Sequence, residues 1–188
     1  MYEMKNKKIL QLVVAGVLCA VGLVIPMFMP KIVLGPMSFT LASHVAIFLA
    51  MFISPAVAVA VCIGTTLGFF LTTPLIIALR AASHIVFAII GALLIKKIPS
   101  IIEKPASSMV FNGGLALVHA ACEVAVVSPF FMAGYMFKPE QLETGYLMSV
   151  LVLVGGGTLL HSLIDYTIAA VLWKPLRVAM PDVAQLRE

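Results

Sequence analysis

Residues 75–97 read LIIALRAASHIVFAIIGALLIKK, an apolar run with Arg80, Ser83 and His84 near its beginning and two lysines at its end. About 20 apolar residues suffice to cross a bilayer as an α-helix. A charged side chain inside such a helix costs at least ~2.5–3.5 kcal/mol, and it usually faces the protein interior and serves a site there. The run therefore predicts a membrane-spanning helix that turns a polar face inward.

Similar runs cover most of the 188 residues, of which 62% are hydrophobic and 11% are charged, whereas soluble domains are about 25% charged. This composition predicts an all-α integral membrane protein with a single membrane domain over residues 1–188. The basic balance is not clustered on a soluble surface, which excludes a nucleic-acid-binding protein. Six runs are predicted to form a six-transmembrane-helix bundle, with spans at about 9–27, 41–53, 56–71, 75–95, 107–128 and 147–172.

The second and third runs are separated only by Ser54-Pro55, and a re-entrant pair of short helices is an alternative to two full spans. Merging them into one span would place the lysines of 96–104 on the other side of the membrane from the lysines of the N-terminus. Lys and Arg concentrate in cytoplasmic loops. Three groups hold nine of the twelve basic residues: Lys5, Lys7 and Lys8; Lys96, Lys97 and Lys104; Lys174, Arg177 and Arg187. We therefore expect both termini in the cytoplasm and the protein in a bacterial plasma membrane.

Three of the predicted spans carry polar residues at helical spacing. Arg80 and His84, His119 and Glu123, and His161 and Asp165 are three pairs at i, i+4, each on one helix face. His44 opens the second span. These stripes predict an internal polar pocket whose candidate substrate-binding residues are Arg80, His84, His119, Glu123, His161, Asp165 and His44. The spacing leaves open whether Arg80 and Glu123 contact a substrate or pair with each other.

Small residues line the first span as two overlapping pairs, Ala15 with Cys19 and Gly16 with Ala20. Such small-xxx-small pairs let helices approach closely. The strip is interpreted either as packing inside the bundle or as a docking face for another membrane subunit.

Catalysis is not indicated. A metalloprotease helix needs H-E-x-x-H, whereas residues 119–123 are HAACE and 161–165 are HSLID. We expect no catalytic residue, no metal and no cofactor, and an intramembrane enzyme is the weakest alternative. A stand-alone ion-coupled transporter is a stronger alternative, although the halves of the chain lack the internal symmetry typical of that class. The chain has no G-x-x-x-x-G-K-[ST] motif, so ATP hydrolysis would need separate subunits.

The chain resembles, over essentially its whole length, the S components of energy-coupling factor (ECF) transporters. The resemblance lies in six spans within 188 residues, the basic N-terminus, the small-residue strip, the segment SFTLASHVAIFLAMFISP (38–55) and the motif RAASH (80–84). It implies a subunit that binds a water-soluble vitamin or precursor with high affinity from the outer side. It also implies partners: a membrane coupling subunit and two cytoplasmic ATPases.

Two side chains narrow the choice among candidate substrates. The guanidinium of Arg80 is a bidentate fork suited to a carboxylate, which favours pantothenate or niacin. Glu123 suits an aminopyrimidine or pyridine ring, which would indicate hydroxymethylpyrimidine or pyridoxine instead. The connection 31–40 and the loop 130–146 are expected to form the lid of the pocket.

Overall fold

Five long helices make up most of the computed structural model, which describes residues 2–34 and 36–187 and omits the side chains of 2–6, 33, 38 and 187. The long helices are α1 Tyr2–Phe28, α3 Pro55–Thr72, α4 Leu75–Lys97, α5 Pro105–Met132 and the continuous segment Leu147–Ala179, which comprises a π-helix Leu147–Gly156 and α7 Gly157–Ala179. The short elements are strands β1 Lys31–Leu34 and β2 Met37–Thr40, helices α2 Val45–Ile53, α6 Pro139–Glu143 and α8 Pro181–Ala184, and 3₁₀ turns Pro99–Ile102 and Gln185–Arg187.

Among the described residues, these five helices are long and apolar enough to cross a membrane. Two of the predicted spans, 56–71 and 75–95, agree with α3 and α4 to within two residues. Proline marks the start of both helices. α3 begins at Pro55, and the side chain of Ser54 before it accepts a hydrogen bond from the backbone N–H of Val57. Pro74 precedes α4, and the two lysines end it.

The segment 31–40 forms a β-hairpin, where the sequence analysis predicted only a connection. β1 and β2 pair antiparallel, with Lys31 opposite Thr40 and Leu34 opposite Met37. The all-α prediction is therefore wrong for these residues. The physical reason is that an isolated eight-residue stretch reads as a loop, whereas pairing satisfies its backbone groups once it packs against the bundle.

The second predicted span, 41–53, is a helix only from Val45, and α2 has nine residues. At 1.5 Å per residue its length is about 14 Å, less than half of the ~30 Å hydrocarbon core. All nine residues are buried, and α2 contacts α1, α3, α4 and α7. A helix that is apolar on all sides is surrounded by protein. The count of six full spans therefore stays a prediction.

The last long helix changes its winding at its three glycines. Residues 147–156 have π geometry, and regular α-helix resumes at Gly157. A Cβ on Gly157 would lie 2.7 Å from Cγ of Met37 in the hairpin. This glycine therefore allows the hairpin to lie directly against the helix. The helix also continues past Pro175 to Ala179, beyond the predicted end at 172.

An aromatic core fills the end of the bundle that carries Lys96, Lys97 and Lys174, called here the lysine end. Phe48 packs on Phe87 (ring centroids 5.3 Å apart) and on Tyr166 (5.4 Å), and Phe52 packs on Tyr166 and Trp173. At the opposite end, the hairpin end, polar side chains replace this core. The aromatic core therefore lies between the lysine end and the polar side chains of the hairpin end.

The small-residue strip of α1 divides into two faces. Ala15 is buried, and Sγ of Cys19 lies 3.6 Å from the carbonyl oxygen of Ala60 on α3. These two residues pack inside the bundle, as one of the two interpretations of the strip expected, and their part in docking stays a prediction. Gly16 and Ala20 are exposed, and a Cβ on Gly16 would meet nothing within 4 Å.

Candidate substrate-binding site

A cavity of about 190 Å³ opens at the hairpin end, directly above the first turn of α2. Because α2 is short, it supplies the floor of the cavity, and the hairpin covers one side. The lining residues are Pro26, Lys31, Phe39, Thr40, Ser43, His44, Ile47, Thr65, Phe69, Thr73, Pro74, Ile77, Arg80, Ala81, His84, Glu123 and His161.

Arg80 and Glu123 form a buried ion pair in the wall of this cavity. Nε of Arg80 donates to Oε2 of Glu123 at 2.6 Å, and Nη2 lies 2.6 Å from the same oxygen. Thr158 donates to Oε2 as well, at 3.0 Å, and Nε2 of His84 lies 3.2 Å from Oε1. The side chain of Arg80 is 12% exposed and that of Glu123 is 3% exposed. The two residues therefore pair with each other, and a contact of either one with a substrate stays a prediction.

All four histidines of the chain meet at the base of this cavity, which is therefore called the histidine cavity. The ring of His44 lies 4.6 Å from that of His84, 4.8 Å from His119 and 4.5 Å from His161, measured between centroids. His119 is fully buried beneath the others and packs on Phe87. Three helices and the turn before α2 supply these rings, so their meeting is a product of the fold.

Asp165 organises the turn 41–44 that precedes α2. Its Oδ1 accepts the backbone N–H of Ala42 (2.8 Å), and its Oδ2 accepts that of His44 (2.9 Å). Ala42 has a φ of 66°, a conformation that costs a non-glycine residue roughly 1–3 kcal/mol unless its surroundings impose it. Asp165 also lies 2.9 Å from Nε2 of His161 and 3.2 Å from Nδ1 of His44. It therefore fixes the positions of two cavity histidines.

The predicted site residues divide into two groups. Five of them line the cavity: His44, Arg80, His84, Glu123 and His161. His119 and Asp165 are fully buried behind these and do not line it. Their assignment to substrate binding remains a prediction, and the geometry gives Asp165 a supporting position.

The two predicted lid segments also differ. The hairpin contributes Lys31, Phe39 and Thr40 to the lining, whereas the loop 130–146 contributes none of the lining residues. That loop is instead fastened to its own neighbourhood: Ser149 donates to the carbonyl of Gln141, and the hydroxyls of Ser128 and Tyr146 lie 2.8 Å apart. Its role as a lid of the pocket therefore stays a prediction.

α3 also contributes to the cavity, which was not predicted from the sequence. Thr65 and Phe69 of α3, and Thr73 at its C-cap, line the cavity, and their spacing of four residues puts them on one helix face. That spacing was the available signal, but hydroxyls in an apolar run are weaker markers than charges.

A second cavity of about 200 Å³ lies at the lysine end, lined among others by Glu103, Lys174 and Arg177. These three charged side chains are exposed and are solvated by water. No buried ion pair of the described residues lies among its lining, so the histidine cavity is the stronger candidate.

The long apolar helices around a buried, charged cavity define an integral membrane protein of the solute-transporting class. The chain is 39% identical, over 183 aligned residues, to the niacin transporter NiaX of Lactococcus lactis subsp. cremoris (strain MG1363). The alignment covers 96% of this chain and 81% of that protein. The chain therefore belongs to the vitamin-transporter S-component family, as its resemblance implied. It is a multi-pass protein of the cell membrane and a transport protein, not an enzyme. No protein-family model matches it, and no solved structure matches it significantly.

Proposed function

We propose that this chain is the niacin-binding subunit of an ECF-type importer, and that the nicotinate anion binds in the histidine cavity beside Arg80. The observation that carries the proposal is the buried guanidinium in the wall of a small cavity, in a chain related to a niacin transporter.

Arg80 is held in place for an anionic ligand. Its Nε and Nη2 are both directed at Glu123, which fixes the plane of the guanidinium. A guanidinium has five N–H donors, and none of the described residues accepts a hydrogen bond from Nη1. That edge is therefore available to a carboxylate. Lys31 adds a second positive charge at the cavity rim, and such charges steer anions toward a cleft.

The size of the cavity favours a single aromatic ring. Its volume of about 190 Å³ lies below the ~300–1,000 Å³ typical of drug-sized sites. Phe39 and Phe69 supply apolar walls for a flat pyridine ring. Pantothenate, a longer and flexible acid, fits this shape less well.

The contacts of Glu123 argue against hydroxymethylpyrimidine and pyridoxine, the two alternatives that have no carboxylate. Hydroxymethylpyrimidine or pyridoxine would need the carboxylate of Glu123 as a free acceptor. Both of its oxygens already have partners, with Arg80 and Thr158 on Oε2 and His84 on Oε1. Oε2 is therefore committed to holding Arg80, and Oε1 lies against the imidazole of His84.

Family membership and the charge pattern support the following transport cycle. Both termini and the lysine end face the cytoplasm on this proposal, which opens the histidine cavity to the outer side. A membrane coupling subunit docks on the exposed face of α1 at Gly16 and Ala20, and two cytoplasmic ATPases supply the energy. The alternative, a stand-alone ion-coupled transporter, uses the same cavity without these partners.

Binding of radiolabelled nicotinate to the purified subunit tests the substrate. Nicotinamide has the same ring without the negative charge, and a charge-assisted hydrogen bond is worth about 1.5–3 kcal/mol, so we expect nicotinate to bind roughly 10- to 100-fold more tightly. Arg80→Met should remove this preference, and Arg177→Met at the lysine end is the matched control. Equal affinity for both ligands, or an unaffected Arg80→Met variant, would overturn the proposed site.

Uptake measurements separate the two transport modes. Cells that lack the coupling subunit and ATPases should take up no nicotinate through this chain, and supplying those subunits should restore uptake. Undiminished uptake without them would establish the stand-alone alternative.

A further inference from the structure

We propose that His44, His84, His119 and Glu123 form a binding site for one divalent transition-metal ion of the zinc class at the base of the histidine cavity. These four residues each offer a ligand atom, and the four atoms lie within 4.8 Å of one another. All four side chains are buried. The expectation of no metal site was based on the lack of a local motif, whereas these residues come from the turn before α2, from α4 and from α5.

The ligand chemistry suits zinc. Three imidazoles and one carboxylate are common ligands of Zn²⁺, which binds nitrogen and oxygen at about 2.0–2.2 Å in tetrahedral sites. Tetrahedral bonds of that length place ligand atoms roughly 3.4 Å apart. Nε2 of His84 and of His119 already lie 3.2 and 3.5 Å from Oε1 of Glu123. Small rotations of the rings therefore complete the set.

The supporting contacts have the arrangement that metal sites show. A histidine ligand usually donates its other ring N–H to a carboxylate, which fixes the ring and its tautomer. Nδ1 of His44 lies 3.2 Å from Oδ2 of Asp165, which leaves Nε2 of His44 for the ion. Arg80 and Thr158 occupy Oε2 of Glu123, which leaves Oε1 facing the imidazoles.

His119 gives the second, independent indication. It is 0% exposed, and neither of its ring nitrogens makes a hydrogen bond to the described residues. Leaving a buried polar group without a hydrogen-bond partner is unfavourable. A coordinated ion would satisfy one of these nitrogens, and a ring position that is otherwise unfavourable then has a function.

The neighbouring group of His44, His161 and Asp165 also brings ligand atoms together, but its acceptors are occupied. Both oxygens of Asp165 accept backbone N–H groups of the turn 41–44. Nε2 of His161 lies within 3.3 Å of Ser43, Thr40 and Asp165. The group with Glu123 is therefore the better site.

The charge balance connects the ion with the substrate, and this step rests on the proposed function. With neutral imidazoles, the form in which histidine binds metals, the cavity and its supporting groups contain two positive residues, Arg80 and Lys31, and two negative ones, Glu123 and Asp165. The net charge is zero, so a carboxylate anion gains no net attraction. A divalent cation makes the net charge positive. Zinc should therefore strengthen nicotinate binding.

Zinc titration of the purified, chelator-treated subunit tests the site, with a chromophoric chelator as competitor. We expect one zinc ion per chain and at least 10-fold weaker binding by His119→Gln. Asn112→Ala is the matched control, since Asn112 is buried on the same face of α5 two turns away, and it should bind zinc like the parent. His84→Gln serves as the second variant if His119→Gln does not fold. Absent zinc binding, or histidine variants that bind zinc as tightly as the parent, would overturn the site.

Nicotinate binding measured with zinc and after chelation separates the two proposals. We expect affinity to fall at least 10-fold on chelation. Nicotinate binding without any zinc binding would reject the metal site and keep the proposed function. Histidine-dependent zinc binding without nicotinate binding would keep the metal site and reject the proposed function. Zinc binding that leaves nicotinate affinity unchanged would reject the charge argument.

Discussion

Replacing Glu123 by glutamine tests how the buried ion pair supports the cavity. The carboxylate is 3% exposed and Arg80 is 12% exposed, so water screens the pair little. The amide keeps the size of the side chain and one acceptor oxygen, but it removes the negative charge. The guanidinium is then left buried without its counter-charge, close to the rings of His84 and His119.

The magnitude follows from the burial of both partners. Breaking a buried ion pair by removing one partner costs about 3–5 kcal/mol, which for a chain of this size corresponds to a fall in Tm of roughly 6–20 °C. The double variant Arg80→Met/Glu123→Gln leaves no unpaired charge. It should therefore be more stable than Glu123→Gln alone, with a coupling energy of about 1.5–3 kcal/mol between the two positions.

The assay is thermal unfolding of the ligand-free subunit in detergent, followed with a thiol-reactive dye. Cys62 is 1% exposed and becomes reactive when the bundle opens. The two single variants, the double variant and the parent complete the cycle. A free energy of unfolding of Glu123→Gln within about 0.5 kcal/mol of the parent value, or simple addition of the two single effects, would contradict a stabilising buried ion pair.

Three further predictions concern glycines. Gly157→Val should lower nicotinate affinity about 10-fold while the helices stay folded, because its Cβ would meet the side chain of Met37 and displace the hairpin; equilibrium binding measures this. Gly64→Val should lower the free energy of unfolding by about 1–3 kcal/mol through overpacking, because its Cβ would lie 2.5 Å from Sγ of Cys19; thermal unfolding measures this. Gly16→Leu should leave stability and nicotinate binding unchanged and block co-purification with a coupling subunit, because Gly16 faces open space.

Matched glycines control these substitutions. Gly156→Val and Gly114→Val introduce the same side chain where a Cβ meets nothing within 4 Å. An equal loss of nicotinate affinity in Gly156→Val would contradict the role of the hairpin contact. A fully stable Gly64→Val variant would contradict the tight α1–α3 packing, and normal co-purification of Gly16→Leu would reject the docking face.

The long helices could be predicted from sequence because their signals are local. α3 and α4 are apolar runs bounded by proline and lysine. The length of α2 could not be predicted, since residues 41–44 are as apolar as many helical segments. They form a turn because Asp165, far along the chain, accepts two of their backbone N–H groups.

The site was predicted in part for the same reason. Spacing of four residues placed Arg80 with His84 and His119 with Glu123 on common faces, and the structure keeps these pairs together. Spacing within one helix carries no information on which faces of different helices meet. The pairing of Arg80 with Glu123 and the meeting of the four histidines depend on how the helices pack. The contribution of α3 to the cavity lining depends on the same packing.

The hairpin has a consequence for the path of the solute. Within the part of the chain that the structure describes, β1 and β2 have only each other as paired strands, so their outward edges carry backbone N–H and C=O groups that need water or protein. Hydrocarbon offers neither, and each unsatisfied group there costs several kcal/mol. The hairpin therefore cannot swing sideways into the lipid. On the proposed function, this favours entry of the solute through the aqueous face above the hairpin over a sideways gate between helices on this side.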